Sequence, residues 1–360
     1  MNIRSLLYVI VLAIPELLFV CCSNGNEHRL QVDRICVATM NVDGLPVSIP
    51  LGDYGNLIKE LVPSFPIEID EDNNMIVNPG GPGAEGSRRI GKKIREKNWD
   101  VFGLNEDFNY HDEIWNSLDG YSMGRYMGRF EGELGDIFQK VLLNKRLFDI
   151  DGLEFGAKSQ YKVSGEVIRP WIPEAVYGYL TNSQDSLTMK GFRYYQVSLD
   201  EQATVDFIVL HADAGMYKED IKAREAAFGQ LYNFIAKEIV TDNPLVIMGD
   251  FNCLYKRDRL KELFIDRLNA ADDLVAGDAW VEKNNGNVYP ACGQESADDD
   301  HMDVTEKSEM LDKIIYVNRK NAPIKLRLES VSNVLDFTDE DGKQLSDHHP
   351  IEAAFAVERK

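Results

Sequence analysis

Gly249-Asp250-Phe251-Asn252 follows the apolar run 245–248 and sets a carboxylate and a carboxamide two positions apart. In extended chain such residues project from the same side, so Asp250 and Asn252 can address one point. There they can orient a water and hold a phosphoryl oxygen or a metal ion. Asp and Asn are also common in ordinary turns, where they hydrogen-bond locally, so this motif takes its meaning from its companions. Four more motifs end or precede apolar runs: Thr39-Met40-Asn41-Val42-Asp43-Gly44-Leu45, Leu104-Asn105-Glu106, His211-Ala212-Asp213 and Ser346-Asp347-His348. Glu106 is a hard oxygen ligand of the kind Mg²⁺ takes once or twice while keeping its waters. Asn41 offers a second ligand position. Asp347 beside His348 can fix the imidazole tautomer and raise its basicity, making His348 a general base, with His349 as its competitor. His211, one of six histidines, can neutralise charge on phosphoryl oxygens or donate a proton. Together these are the groups needed to hydrolyse a phosphate ester with metal assistance.

Buried strands are expected to carry these motifs. Continuous apolar runs at 35–40, 101–104, 140–144, 205–211, 245–248, 313–317 and 351–357 read as strands covered on both faces. Three helical patterns lie between them. Ile221, Arg224, Phe228, Leu231, Ile235 and Ile239 recur at three- and four-residue steps, 87–98 carries Ile90 and Ile94 on one face, and 257–268 carries Leu260, Leu263, Phe264 and Leu268. Strands mixed with helices imply an α/β or α+β layered domain. Residues 46–86, rich in Pro and Gly, read as an inserted loop, and 284–307 as a second polar stretch with Asp298-Asp299-Asp300-His301. There is no internal repeat, and the Gly80–Gly83 cluster lacks P-loop spacing.

The chain of 360 residues carries a net charge of −21. Proteins that grip duplex nucleic acid gain affinity by releasing phosphate counterions with basic residues, so this charge argues against tight nonspecific nucleic-acid binding. Residues 1–22 read as a signal peptide of lipoprotein type. A basic start at Arg4 and an apolar stretch at 6–20 lead to Cys21-Cys22, of which Cys22 or Cys21 is the lipid acceptor. Residues 23–32 then form a tether and 33–360 the folded domain. The expected location is the outer membrane or cell surface, with a periplasmic or secreted protein as the alternative. Cys36, Cys253 and Cys292 are scattered and odd in number, which makes neither a disulfide framework nor a Cys-x-x-Cys zinc site.

The five motifs in this order resemble the endonuclease/exonuclease/phosphatase superfamily, over about residues 33–357. The resemblance implies a four-layer sandwich, two packed mixed β-sheets flanked by helices, with the site at one end. By motif it implies Asn41 and Glu106 at the metal site, Asp250 and Asn252 as the Gly-Asp-x-Asn pair, and Asp347 and His348 in Ser-Asp-His with His348 as base. His211 matches the phosphate-stabilising histidine. Asp312, in Leu311-Asp312-Lys313-Ile314-Ile315, resembles the family's Asp-Tyr-Ile motif, whose acid orients a catalytic neighbour; Lys313 replaces the aromatic. Leu104-Asn105-Glu106 departs from the common Leu-Gln-Glu but keeps the acid. Asp185-Ser186-Leu187-Thr188-Met189-Lys190-Gly191-Phe192 and Leu210-His211-Ala212-Asp213-Ala214-Gly215 are similar to segments of the bacterial neutral sphingomyelinase and phospholipase C-like branch. The segment 335–342 has one aromatic among acids, unlike the exposed aromatic hairpin of sphingomyelinases that insert into host membranes.

The expectation is a phosphodiesterase that uses Mg²⁺, or Mn²⁺ or another divalent cation, on a lipid-derived diester such as sphingomyelin. The alternatives are an endo- or exonuclease, an inositol- or sugar-phosphate phosphatase, and a noncatalytic surface-binding protein on the same fold.

Overall fold

The computed structural model describes residues 31–52, 68–124, 152–171, 190–291 and 309–360. The signal segment, tether residues 23–30, Cys292, the expected strand at 140–144, the acidic stretch around 298–303 and residues 185–189 of the Lys-Gly-Phe segment lie outside these residues.

Four apolar runs form interior strands. β1 (Arg34–Asn41) and β4 (Val101–Asn105) run parallel, with Asn41 opposite Asn105. β9 (Thr204–His211) and β10 (Leu245–Asp250) run parallel, with His211 opposite Asp250. Each pair lies inside a six-stranded mixed sheet. The first has the order β13-β14-β1-β4-β6-β5 and the second β11-β12-β10-β9-β8-β7. The outer members are β5 (Tyr121–Met123), β6 (Glu154–Lys158), β7 (Lys162–Pro170), β8 (Gly191–Ser198), β11 (Leu274–Asp278), β12 (Asp312–Arg319), β13 (Ile324–Asn333) and β14 (Ile351–Arg359).

Alternation of side chains divides the apolar residues between two faces. Val37, Val101, Val205, Phe207, Val209, Val246, Met248, Ile314 and Phe355 fill the space between the sheets. Ala38, Met40, Phe102 and Leu104 face the other way, against Ile90 and Ile94 of helix α1 (Gly83–Lys97). Ile208, Leu210, Ile247 and Ile315 meet Phe228, Leu231 and Ile235 of a helix at Lys218–Lys237. The result is the helix, sheet, sheet, helix order of a four-layer sandwich. Helix α2 (His111–Trp115) follows β4, so the Lys218–Lys237 helix is α3.

Strand directions bring the motifs to one end. β1, β4, β9 and β10 all finish there, at Asn41, Asn105, His211 and Asp250. β12 is antiparallel to β10 and begins there, with Asp312 opposite Asp250. β14 is antiparallel to β1, with Ile351 opposite Thr39, so His348 lies just before it at the same end.

Three expectations need correction. The insert at 46–86 is not all loop: β2 (Ser48–Pro50) pairs with β3 (Asn74–Ile76), and α1 begins at Gly83. The helix expected over 257–268 is a π-turn at Lys261–Ile265 followed by α4 (Asp266–Ala270). Its first residues are drawn into a turn because Asp258 accepts the Leu254 amide at 3.0 Å. β6, β7, β8, β11 and β13 were not expected, since their apolar runs are broken by charged or small residues; β7, for example, is an edge strand with no fully buried residue. A short helix, α5 (Ala279–Asn284), is capped by Asp278, whose side chain accepts the Val281 amide at 3.1 Å. The lone aromatic of 335–342, Phe337, is fully buried and stacks on Trp99 at 5.7 Å between centroids.

Gly249 shows how tightly the site end is built. Its φ is +143°, and a Cβ there would lie 1.9 Å from the Leu210 carbonyl oxygen on the neighbouring strand. Gly249→Ala is expected to cost roughly 3 kcal/mol or more, from strained backbone and a displaced ladder. Urea unfolding checks this, and a loss under about 1 kcal/mol would show that the strand yields locally.

Candidate active site

Asp250 is the hub. Its side chain is buried, with Oδ2 lying 3.3 Å from His211 Nε2 and 3.8 Å from His348 Nε2. Asn41 Nδ2 donates to the same oxygen at 3.4 Å and to Glu106 Oε1 at 3.0 Å. Asp250 Oδ1 accepts the Asn252 amide at 2.8 Å, a tight turn made possible by the left-handed conformation of Asn252 (φ 47°). The Asn252 carboxamide nitrogen stands 3.0 Å from His211 Nε2 and donates to the Ala212 carbonyl at 3.1 Å. Asn41, Glu106, His211, Asp250, Asn252, Asp312 and His348 therefore form one connected cluster.

The partner of His348 corrects the sequence reading. Asp347 does not hold the ring: it is exposed, and its carboxylate stands 3.4 Å from the Ser346 hydroxyl. The ring is held by Asp312, whose Oδ2 lies 2.5 Å from His348 Nδ1. The reason is strand direction. A residue adjacent in the chain seldom turns its side chain onto its neighbour's ring, whereas Asp312 opens β12 directly beside Asp250. His348 is further fixed by Ser346, whose hydroxyl accepts the His348 amide at 3.1 Å and donates to the Asn41 carbonyl at 2.8 Å. The Asp312 bond falls to His348 and not to His349.

Burial by itself would lower the basicity of His348. The charges of Asp312 and Asp250, the Asp312 hydrogen bond and the charge of Asp347 outweigh it, so the ring holds its proton well above the ordinary histidine range. Burial opposes ionisation of Asp250 as well, but the His211 hydrogen bond and the charges of His348, His211 and Lys190 keep it far below the usual carboxylate range.

Several contributors were given no role by the sequence. Asn105 is fully buried and bridges the two sheets, donating to the Leu210 carbonyl at 2.7 Å and accepting the Asp250 amide at 3.1 Å. Lys190 is buried and donates to the Ala212 carbonyl at 3.3 Å. Asp43, two residues after Asn41 in the quoted motif, accepts from Asn78 of the insert at 2.6 Å. Its carboxyl is pushed up to about 7, first by burial and then by the charges of Asp347 and Glu106. The i, i+2 pairing of Asn41 with Asp43 was the available signal. Nothing in the local pattern around Asn105 or Lys190 distinguished them from ordinary strand-end residues.

The oxygen-rich rim suits a hard cation. Asp43 and Glu106 both hold left-handed backbone, with φ 51° and 58°, a conformation costly for such residues and typical of functional sites. The crowding that raises the Asp43 carboxyl would be relieved by positive charge. Among the described residues no three His, Cys, Asp or Glu side chains form a closed cage.

The whole architecture has solved counterparts. A D. rerio TDP2 carrying 14 humanising mutations superposes with a TM-score of 0.53 at 13% identity, over 89% of this chain and 98% of that one. The human nocturnin catalytic domain, with a bound sulfate, superposes at 0.51 and 16% identity, over 91% and 97%. The fold is shared with these solved structures. No family model matches the chain. The sequence is similar to curated sphingomyelinases of Mycobacterium tuberculosis (strain ATCC 25618 / H37Rv) and Mycobacterium bovis, each 29% identical over 206 residues. The matched stretch is 57% of this chain and 36% of the length of those relatives. The Asp250 cluster lies where the parallel strands of both sheets terminate.

Proposed function

We propose that this chain is a Mg²⁺-dependent phosphodiesterase acting on a phospholipid-type diester such as sphingomyelin. One observation carries the reading: a His–Asp dyad, His348 with Asp312, stands 3.8 Å from the Asp250 carboxylate that also gathers His211, Asn252 and Asn41. A base, a water-orienting acid, donors for phosphoryl oxygens and an oxygen-rich rim are then available to one reacting centre.

In this mechanism His348, oriented by Asp312, takes a proton from a water aligned by Asp250. The water oxygen bonds to phosphorus as the opposite phosphorus–alkoxide bond breaks in line. Asn252 and His211 donate to the phosphoryl oxygens, and His211 can return a proton to the departing alkoxide. A divalent cation held by Glu106 and Asn41 would supply neutralisation of the phosphoryl oxygens and of the leaving oxygen. Asp43 and Asp347 line the same rim.

The acidic rim also argues for that cation. Asp43, Glu106, Asp250 and Asp347 would repel an anionic diester approaching without it. Chelation with EDTA is expected to lower turnover of bis(p-nitrophenyl) phosphate by about 100-fold or more, with recovery on adding Mg²⁺. Undiminished turnover after exhaustive chelation would exclude the cation requirement.

The lipid substrate is supported by similarity to sphingomyelinases and by the charge of −21, which disfavours a nucleic-acid track. Met216 and Tyr217, on the loop after His211, are 59% and 67% exposed and offer apolar surface to a lipid. A panel of sphingomyelin, phosphatidylcholine, plasmid DNA and inositol phosphates decides the class; DNA cleavage far faster than lipid cleavage would overturn it.

The proposal includes export and anchoring through an acyl chain on Cys22 or Cys21. Among the described residues no helix is long and apolar enough to cross a membrane. Cys21→Ser with Cys22→Ser is expected to abolish labelled fatty-acid incorporation in cells; continued labelling would refute the acceptor assignment.

A further inference from the structure

Beyond His211 and Asp250 the two parallel strands separate into different loops. One, 212–217, leads into α3, and the other, 251–258, leads toward the π-turn. The distance between His211 and Asn252 depends on how these loops are held together. Near the strand ends, Ala212 donates its amide to the Asp250 carbonyl at 2.9 Å. Farther out a buried charged network takes over.

Arg224, on the second turn of α3, is fully buried. Its Nη1 donates to the Asp213 carbonyl at 2.9 Å and to the Gly215 carbonyl at 2.8 Å, on the loop that carries His211. Its Nε donates to Asp258 Oδ1 at 2.9 Å, and Nη2 lies at 2.9 Å from the same oxygen. Asp258 Oδ2 accepts the Leu254 amide at 3.0 Å and Arg257 Nε at 2.9 Å. Arg257 in turn donates to the carbonyl of Asn252 itself. The path therefore runs without interruption from the loop after His211 to the backbone of Asn252.

The chemistry of this path is selective. A guanidinium is a rigid planar fork that bonds two carbonyls and a carboxylate at once, and an ammonium cannot reproduce that set. A buried ion pair is also a poor device for stability, since apolar residues of like volume often serve as well or better. A fixed geometry is what it provides.

We propose that Arg224 is a positioning residue, acting with Asp258 to hold His211 and Asn252 at hydrogen-bonding distance for the chemical step. The proposal rests on the phosphodiesterase reading for its kinetic consequence, but its geometric consequence stands apart from activity.

The test uses the full chain bearing Arg224→Lys. A second variant, Arg224→Met with Asp258→Leu, removes both charges so that neither is left buried and unpaired. Three quantities are read: the thermal midpoint, kcat and KM on bis(p-nitrophenyl) phosphate at saturating Mg²⁺, and the ring-nitrogen NMR signals of His211. Both variants are expected to lower kcat by about 10- to 100-fold with KM within about twofold, because a misplacement of the order of 1 Å costs that much. The His211 signals are expected to shift. Arg169→Lys, in an exposed ion pair with Glu238, is expected to change neither. Wild-type kcat per folded molecule and unmoved His211 signals, with only the midpoint lowered, would reduce Arg224 to a stability brace and overturn the proposal. Should the wild-type chain turn over no diester, the functional reading fails, and the His211 signals still decide the positioning claim. If Arg224→Lys does not fold, the doubly substituted chain supplies the same measurements.

Discussion

His348→Asn is expected to lower diesterase kcat by about a thousandfold or more while leaving the fold intact, because it removes the base that the buried Asp312 carboxylate holds against the Asp250 cluster. Asparagine keeps a polar side chain between Asp312 and Asp250, which alanine would leave facing each other. The pH dependence sharpens the expectation. The base must be neutral to accept a proton, and its proton is held well above the ordinary histidine range by Asp312 and Asp250. Activity is therefore expected to rise with pH along a limb lying above the ordinary histidine range. The stability linkage has the opposite sense. A raised histidine contributes stability that is full below its unfolded value and is lost as pH rises through its folded value. The stability difference between wild type and His348→Asn should thus shrink on going alkaline. A kcat within tenfold of wild type, or an acidic limb at the ordinary histidine value, would remove His348 from the base role.

The second large effect separates two aspartates. Asp312→Asn is expected to lower kcat by about 10⁴-fold, the order seen when a buried acid holding a catalytic imidazole is neutralised and the ring loses its tautomer. It should also move the acidic limb downward, since a charge that raises His348 is gone. Asp347→Asn is expected to act mainly on the rim. The Asp347 charge raises both Asp43 and His348 from a distance, and its carboxylate bonds only the Ser346 hydroxyl among the described contacts. A rise in the Mg²⁺ concentration for half-maximal activity, with kcat at saturating Mg²⁺ within about tenfold, is the expected signature. Equal losses of kcat in the two variants would mean that Asp347 turns onto the ring during catalysis.

The contrast between these aspartates marks the boundary of what linear sequence conveys. Apolar runs read as strands at 35–40, 101–104, 205–211, 245–248, 313–317 and 351–357 coincide with β1, β4, β9, β10, β12 and β14 to within a few residues. Long buried strands need unbroken apolar stretches, and such stretches are visible in any sequence. β7 and β13 alternate or carry charge, and their pairing with β8 and β14 comes from ladder bonds that leave no composition signal.

The site divides in the same way. Residue type determined the chemistry on offer: carboxylates and carboxamides for a hard cation, imidazoles for protons, each at the end of an apolar run. Which groups touch was decided by the tertiary structure. Strand direction gave His348 to Asp312 rather than to its chain neighbour, and the register of β9 with β10 set His211 beside Asp250. Asn105 acts through bonds to Leu210 and Asp250, more than a hundred residues away, and Arg224 through bonds to Asp213 and Gly215 on the preceding loop and to Asp258 beyond its helix. A hydrogen bond is a relation between positions, and local sequence records only one of its ends.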